Sequence, residues 1–333
     1  MNFKKILLFS ILGLSVIKTN AQCCAGGSGS PIAGGASQGV LMLHQVDLNT
    51  NFQYILTRKF LTGDKPAEYR LDMDHFTTNY IYSRLGLGIT KNFTLYLETG
   101  YFLNKTQVTL NKAETIKSKG IGDLIIFPRY DIINKTKRNR KTELTVGIGF
   151  KIPLGKYNDS MRKIEPFSGD VYYIRKPLAV QPSSGAQDII FYTFYLKDYS
   201  KFRIFTNATY IKRGWNAMGE KHGNFMSVGL FASKTFFKSL GVTLQVRGEW
   251  VDKMKLNKNI LLYAYPNYDP AATGYKKVFF APQVSYTYQR KVTVYALTEI
   301  PIYQYVTKTQ IASQYQATLG VSYRFMLKEK ASK

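Results

Sequence analysis

The chain has 333 residues and a formal net charge of +25, and its mean hydropathy of −0.19 lies on the polar side. It contains no run of eighteen apolar residues, which excludes helical membrane spans and leaves a secreted soluble protein or a membrane β-barrel. Its 25 Tyr and 21 Phe against 2 Trp and 11 Pro suit one sheet rich in interfacial aromatics, and the negative hydropathy is no objection, because only alternate barrel residues meet lipid.

Two lysines, an apolar run from Ile6 to Ile17 and the small residues Thr19 and Ala21 predict a secretory signal peptide over 1–21. Residues 22–40 then read as a flexible Gly/Ser-rich tail, expected on the periplasmic side of an outer membrane. Cys23 and Cys24 are the only cysteines, and two adjacent thiolates are candidate ligands for a soft metal ion such as Cu(I). A vicinal disulfide in an oxidising compartment, or an inert tail, is the blander reading. Lipid attachment at Cys23 is disfavoured by Gln22, which stands where a small residue is required.

From 41 to 325 the pattern changes to alternation with a period of two. Twelve segments show it: 45–58, 79–89, 93–103, 120–132, 142–153, 188–196, 202–212, 224–235, 241–250, 278–288, 292–303 and 314–325. The last is the clearest, with Tyr315, Ala317, Leu319, Val321, Tyr323 and Phe325 on one face and Gln314, Gln316, Thr318, Gly320, Ser322 and Arg324 on the other. Ten to twelve alternating residues suffice for a tilted strand to cross a bilayer with lipid on one side and a polar lumen on the other. Connections after the even-numbered segments are short, with the basic stretch 134–141 the weakest instance, and those after the odd-numbered ones run longer, above all 154–187 and 251–277. The fold class expected is therefore all-β, a transmembrane antiparallel up-and-down barrel of about 12 strands, followed by a polar tail over 326–333.

Facing follows from parity. The third segment puts Leu95, Leu97, Thr99, Tyr101 and Leu103 outside, the fifth Leu144, Val146, Ile148, Phe150 and Ile152, and the ninth Val242, Leu244, Val246, Gly248 and Trp250. The sixth and eleventh are ambiguous in their alternation and stay unassigned. The expected lumen carries both signs of charge: Arg84, Glu98, Asp123, Arg129, Glu143, Lys151, Arg247, Glu249 and Arg324, with Asp47 and Arg203 beside them. Such groups either pair across the interior and fill it, or line a polar passage and set its selectivity.

Gly120–Ile133 (GIGDLIIFPRYDII) and Leu144–Asn158 (LTVGIGFKIPLGKYN) combine a Gly-x-Gly-Asp start, a short turn and a Gly-rich strand closing in Lys-x-Pro-x-Gly. With Gln181–Leu196 (QPSSGAQDIIFYTFYL), this resembles the phenol meta-degradation (MetA-pathway) family of outer-membrane barrels over about 120–210. That resemblance implies passage of small, often hydrophobic, molecules, and it carries no catalytic or ligand residues to transfer. Gly-x-Gly-Asp is not a dinucleotide fingerprint, since no helix follows and the third glycine is absent.

No enzyme and no cofactor are implied. The three histidines, His44, His75 and His222, do not sit on a lipid face beside a serine, although His75 with Asp72 and Asp74 is a candidate loop cation site. The basic 134–141 cluster lacks aromatics for base stacking, so the positive surplus is read as attraction to anionic lipid and lipopolysaccharide rather than nucleic acid. The terminal Tyr323-Arg-Phe325 resembles the signal presented to the barrel-assembly machinery. The expectation is an outer-membrane protein of a Gram-negative bacterium with both termini periplasmic, passing an unknown small molecule. The alternatives are a plugged structural or interaction barrel, or copper handling through the Cys23-Cys24 tail.

Overall fold

A segment whose side chains alternate in polarity buries its apolar face only against another surface, and its backbone groups are satisfied only by neighbouring strands. The structure, a computed structural model, describes residues 39–68, 73–112, 114–137, 140–199, 201–257 and 269–327. In chain order its strands are β1 (Gln45–Gly63), β2 (Lys65–Pro66), β3 (His75–Gly88), β4 (Phe93–Val108), β5 (Thr115–Ile121), β6 (Leu124–Lys137), β7 (Arg140–Ile152), β8 (Ser160–Ile164) and β9 (Val171–Arg175). They continue as β10 (Asp188–Asp198), β11 (Arg203–Lys212), β12 (Glu220–Lys221), β13 (Phe225–Phe236), β14 (Leu240–Val251), β15 (Lys255–Leu256), β16 (Tyr275–Tyr288) and β17 (Val292–Met326).

Each wall segment pairs antiparallel with its predecessor, and β17 closes the ring on β1, with Gln45 opposite Met326 and Phe52 opposite Leu319. A closed ring of antiparallel pairs needs an even number of limbs, and β17 supplies two of them. Its first part, to Val306, pairs with β16 and its second with β1, so the chain reverses near Lys308 (φ 56°). Gln304 ties the two limbs by side-chain hydrogen bonds to the Ser313 carbonyl and amide, both 2.9 Å. With β5 and β6 sharing one limb beside β4, the wall has twelve limbs, as the periodicity predicts.

The turns beside the start of β1 and the end of β17 are tight. Phe237 and Lys238 (φ 47° and 61°), and Gln289 and Arg290 (φ 48° and 59°), form two-residue reversals closed by Ser239 N–H to Phe236 O (3.1 Å) and Lys291 N–H to Tyr288 O (3.0 Å). Paired positive φ values of this kind match the twist of the strands they join. The basic stretch 134–141 is no loop: β6 runs to Lys137 and β7 starts at Arg140. Tyr275–Lys277, expected in a loop, begin β16. The segment expected as one strand over 120–132 is broken at Gly122-Asp123, where Gly122 N–H donates to Gly100 O at 2.7 Å.

Parity sets the faces. Thr243, Gln245, Arg247 and Glu249 of β14 point inward and are buried, while Leu244, Val246 and Trp250 face out and are exposed. β10 puts Ile190, Tyr192, Phe194 and Leu196 inside and Ile189, Phe191 and Tyr195 outside; the first limb of β17 puts Thr293, Tyr295, Leu297 and Glu299 inside. Both faces of β10 read as apolar because its inner face joins an aromatic core with Phe127, Phe205 and Phe231. The outer surface is a belt of exposed apolar side chains, among them Phe150, Phe191, Leu230, Leu244, Ile300 and Leu319. Among the described residues no helix is long and apolar enough to cross a membrane.

Candidate functional site

The interior divides into a packed floor and a cavity. At the end where β1 starts and β17 finishes, Asp47 accepts Arg84 Nη2 (2.7 Å), Arg324 Nε (2.7 Å) and the Ser322 hydroxyl (2.8 Å), pinning β1 to both its neighbours. The side chains of Asp47 and Arg84 have no exposure. Above them the Arg129 guanidinium lies 4.4 to 4.5 Å from the ring centroids of Tyr96, Phe127 and Tyr192, and its Nη2 is 3.5 Å from Glu98 Oε1. A guanidinium among three aromatic faces is stabilised by their quadrupoles after losing its water.

The chain before β1 enters this floor. Val40 N–H donates to Glu143 Oε1 (3.0 Å), Leu41 N–H to Thr94 Oγ1 (2.8 Å), and the Tyr96 hydroxyl to Gly39 O (3.2 Å), leaving Leu41 buried in the core. A Cβ at Gly39 would collide with the Glu143 carboxylate, so a larger residue there would push that side chain away from Val40 N–H. The expected tail boundary at 40/41 therefore falls within a segment packed inside the barrel. Glu143 also meets Lys141 Nζ at 2.5 Å.

Beyond the floor lies a cavity of about 390 Å³ lined from limbs all round the ring. Of the residues that the sequence places in the lumen, Glu98, Asp123, Lys151, Arg247 and Glu249 reach it, whereas Arg84, Arg129, Glu143 and Arg324 belong to the floor. Lys151 Nζ binds Asp123 Oδ2 (2.7 Å), Asp188 Oδ2 (3.0 Å) and the Ser184 hydroxyl (2.7 Å). Arg213 Nη1 meets Asp188 Oδ2 at 2.7 Å. Arg247 pairs with Glu249 and, at 2.7 Å, with Glu299.

Sequence reasoning missed Asp188, Arg213, Lys277 and Glu299. Asp188 and Glu299 sit on the two unassigned strands; Asp188 stands directly across the ladder from Lys151, the signal that finds it, whereas Glu299 lies two limbs from Arg247 and meets it only through the side chains. Arg213 and His222 lie in a connection with no periodicity to read.

The mouth is covered by that connection and by 153–187. Arg175 forks onto Glu220 (2.6 and 3.0 Å), Lys105 Nζ donates to Gln181 O (2.7 Å), and Asn216 Nδ2 to Ser184 O (3.0 Å), so Pro182 and Ser184 roof the cavity. Burial raises the Asp159 carboxyl, but its bond to Lys176 (2.7 Å) outweighs that and holds it below the usual carboxylate range. Burial, reinforced by the charges of Arg213 and Lys151, brings the His222 imidazole down to about 4, so it is neutral at pH 7. His75 Nδ1 lies 2.7 Å from Asp74 Oδ2, while Asp72 is outside the described residues. Cys23 and Cys24 also lie outside them, as do residues 1–38 and 328–333.

No protein-family model matches the sequence, and no curated protein is similar to it. Among solved structures, the chain is similar to an outer-membrane channel from Pseudomonas putida F1, at 11% identity and a TM-score of 0.62, covering 86% of this chain and 97% of that one. The fold is that of an outer-membrane β-barrel. Lower-scoring barrels are the β domain of the Bordetella autotransporter BrkA (10% identity, TM-score 0.46, 85% and 100% covered) and the NanC porin (11%, 0.43, 84% and 98%).

Proposed function

We propose that this barrel spans the outer membrane and provides passive passage for a small molecule, with the cavity as its binding station. The observation that carries the reading is a cavity bounded by charged groups inside a closed wall whose outer face is apolar. An apolar belt is stable only against lipid, and antiparallel closure leaves no unpaired edge in it. The chain ends then lie on the periplasmic side, as short turns at that end favour, and the 153–187 and 213–224 connections face outward. The resemblance of 120–210 to the phenol meta-degradation family points the same way.

Among the described residues the floor is packed and the roof narrows the mouth, so passage requires the floor to loosen and widens if the roof lifts. Three hydrogen bonds hold the 39–41 segment, each worth about 1 kcal/mol net, a hold weak enough to release. The test is conductance of the refolded protein in a planar bilayer beside Arg247→Ala/Glu249→Ala. Openings whose ion selectivity shifts in the variant support the reading; silence of both at every voltage refutes it. A second reading, a plugged interaction barrel, is favoured by the packed floor and by the β8–β9 hairpin, whose Phe167 is 98% exposed. It predicts that silence.

A further inference from the structure

The charged groups with unmet hydrogen-bonding capacity stand on different sides of the cavity, with the unmet hydroxyls of Tyr82 and Thr99 beside the acidic ones. Counting limbs from β1, Glu98 stands on the third limb (β4) and Asp123 on the fourth, while Arg247 stands on the ninth (β14) and Lys277 on the tenth (β16). In a ring of twelve, a separation of six limbs is diametric, so Glu98 faces Arg247 across the lumen and Asp123 faces Lys277. On the acidic side Asp123 Oδ1 is buried with no hydrogen-bond partner among the described residues, and Glu98 Oε2 has at most the neighbouring Tyr82 hydroxyl. Toward the other side the Nε groups of Arg213 and Arg247 are likewise unmet, and the Lys277 ammonium has one described hydrogen bond, to the Ser313 hydroxyl (2.9 Å). Acceptors on one wall thus face cationic donors on the other, and the aromatic rings of Tyr80, Phe102, Tyr275 and Phe279 line the same cavity on those two walls.

We propose that the cavity binds a small zwitterion, an α-amino acid with an apolar or aromatic side chain, its ammonium toward Asp123 and Glu98 and its carboxylate toward Lys277, Arg247 and Arg213. A ligand of one sign satisfies one wall and leaves the other unmet, whereas a zwitterion satisfies both and adds no net charge to a largely desolvated site. About 390 Å³ is at the small end of ligand sites, and the rings supply the apolar contact that such sites use. This assignment deepens the passage reading and rests on it only for transport, since binding is measurable by itself.

The test is calorimetric titration of the refolded protein in detergent with L-phenylalanine, 3-phenylpropionate, which lacks the ammonium, and phenethylamine, which lacks the carboxylate. L-phenylalanine is expected to bind at least about tenfold more tightly than either, the scale of one charged hydrogen bond. Lys277→Gln is expected to remove most of that advantage over phenethylamine, and Asp123→Asn most of that over 3-phenylpropionate. Equal binding of the three probes, or unchanged preference in Lys277→Gln, overturns the proposal. Lys277 has no described carboxylate partner within salt-bridge distance, so its replacement keeps the test valid where Asp123→Asn fails to fold. Proteoliposome uptake separates the two readings: selective binding without uptake refutes passage alone, and uptake without preference for L-phenylalanine refutes the zwitterion site alone.

Discussion

Replacing Asp47 by Asn keeps the shape of the side chain and removes the carboxylate on which Arg84, Arg324 and Ser322 converge. Breaking a buried ion pair from one side costs roughly 3–5 kcal/mol, because the remaining charge stays desolvated. Arg324 is 13% exposed and regains some water, and Arg84 keeps the face of Tyr96 at 5.1 Å, worth about 1 kcal/mol. The expected loss is therefore about 3 kcal/mol, over a hundredfold in the folded-to-unfolded ratio. Urea unfolding of the protein in lipid vesicles, followed by tryptophan fluorescence, measures it. Adding Arg84→Met to Asp47→Asn should recover part of the loss, since the buried cation that has lost this carboxylate is then replaced by an apolar side chain. A loss below about 1 kcal/mol, or a double variant worse than the sum of the singles, refutes the view that this buried carboxylate seals the seam between β1 and its neighbours.

Glu220→Gln should weaken the fork from Arg175 that latches the roof and raise the open probability in planar bilayers severalfold; an unchanged open time would show that the latch does not limit access. Val40→Pro removes the N–H bonded to Glu143 and should raise conductance without lowering thermal stability by more than about 1–2 kcal/mol, read by the unfolding shift on SDS gels. For His222 the folded value, about 4, lies below the ordinary 6.5, so its contribution to the closed roof is complete above about pH 6.5 and lost as the pH falls toward 4. The charged ring would then stand beside Arg213 and Lys151, with only Glu220 and Asp188 to offset them, and the loss is on the order of 3 kcal/mol. Conductance should therefore rise between pH 6.5 and 4, and His222→Gln should flatten that rise; a rise surviving in His222→Gln assigns it elsewhere.

The sequence by itself determined the wall. A period of two is a local property: once Leu244 faces out, Arg247 and Glu249 must face in, whatever lies across the barrel. All twelve limbs were legible as segments, and charge inside was legible on those whose two faces differ in polarity. Where both faces of a strand are apolar, as in β10, periodicity carries no facing signal, and only closure of the ring decided that Ile190, Tyr192 and Phe194 pack inward. What the interior does was likewise a tertiary matter. Arg129 and Arg247 look alike in sequence, each an inward charge on an alternating strand. One is sealed among three aromatic rings contributed by β4, β6 and β10, and the other borders the cavity, because the distance between opposite walls and the chain folded in from each end are set by closure and not by any local pattern.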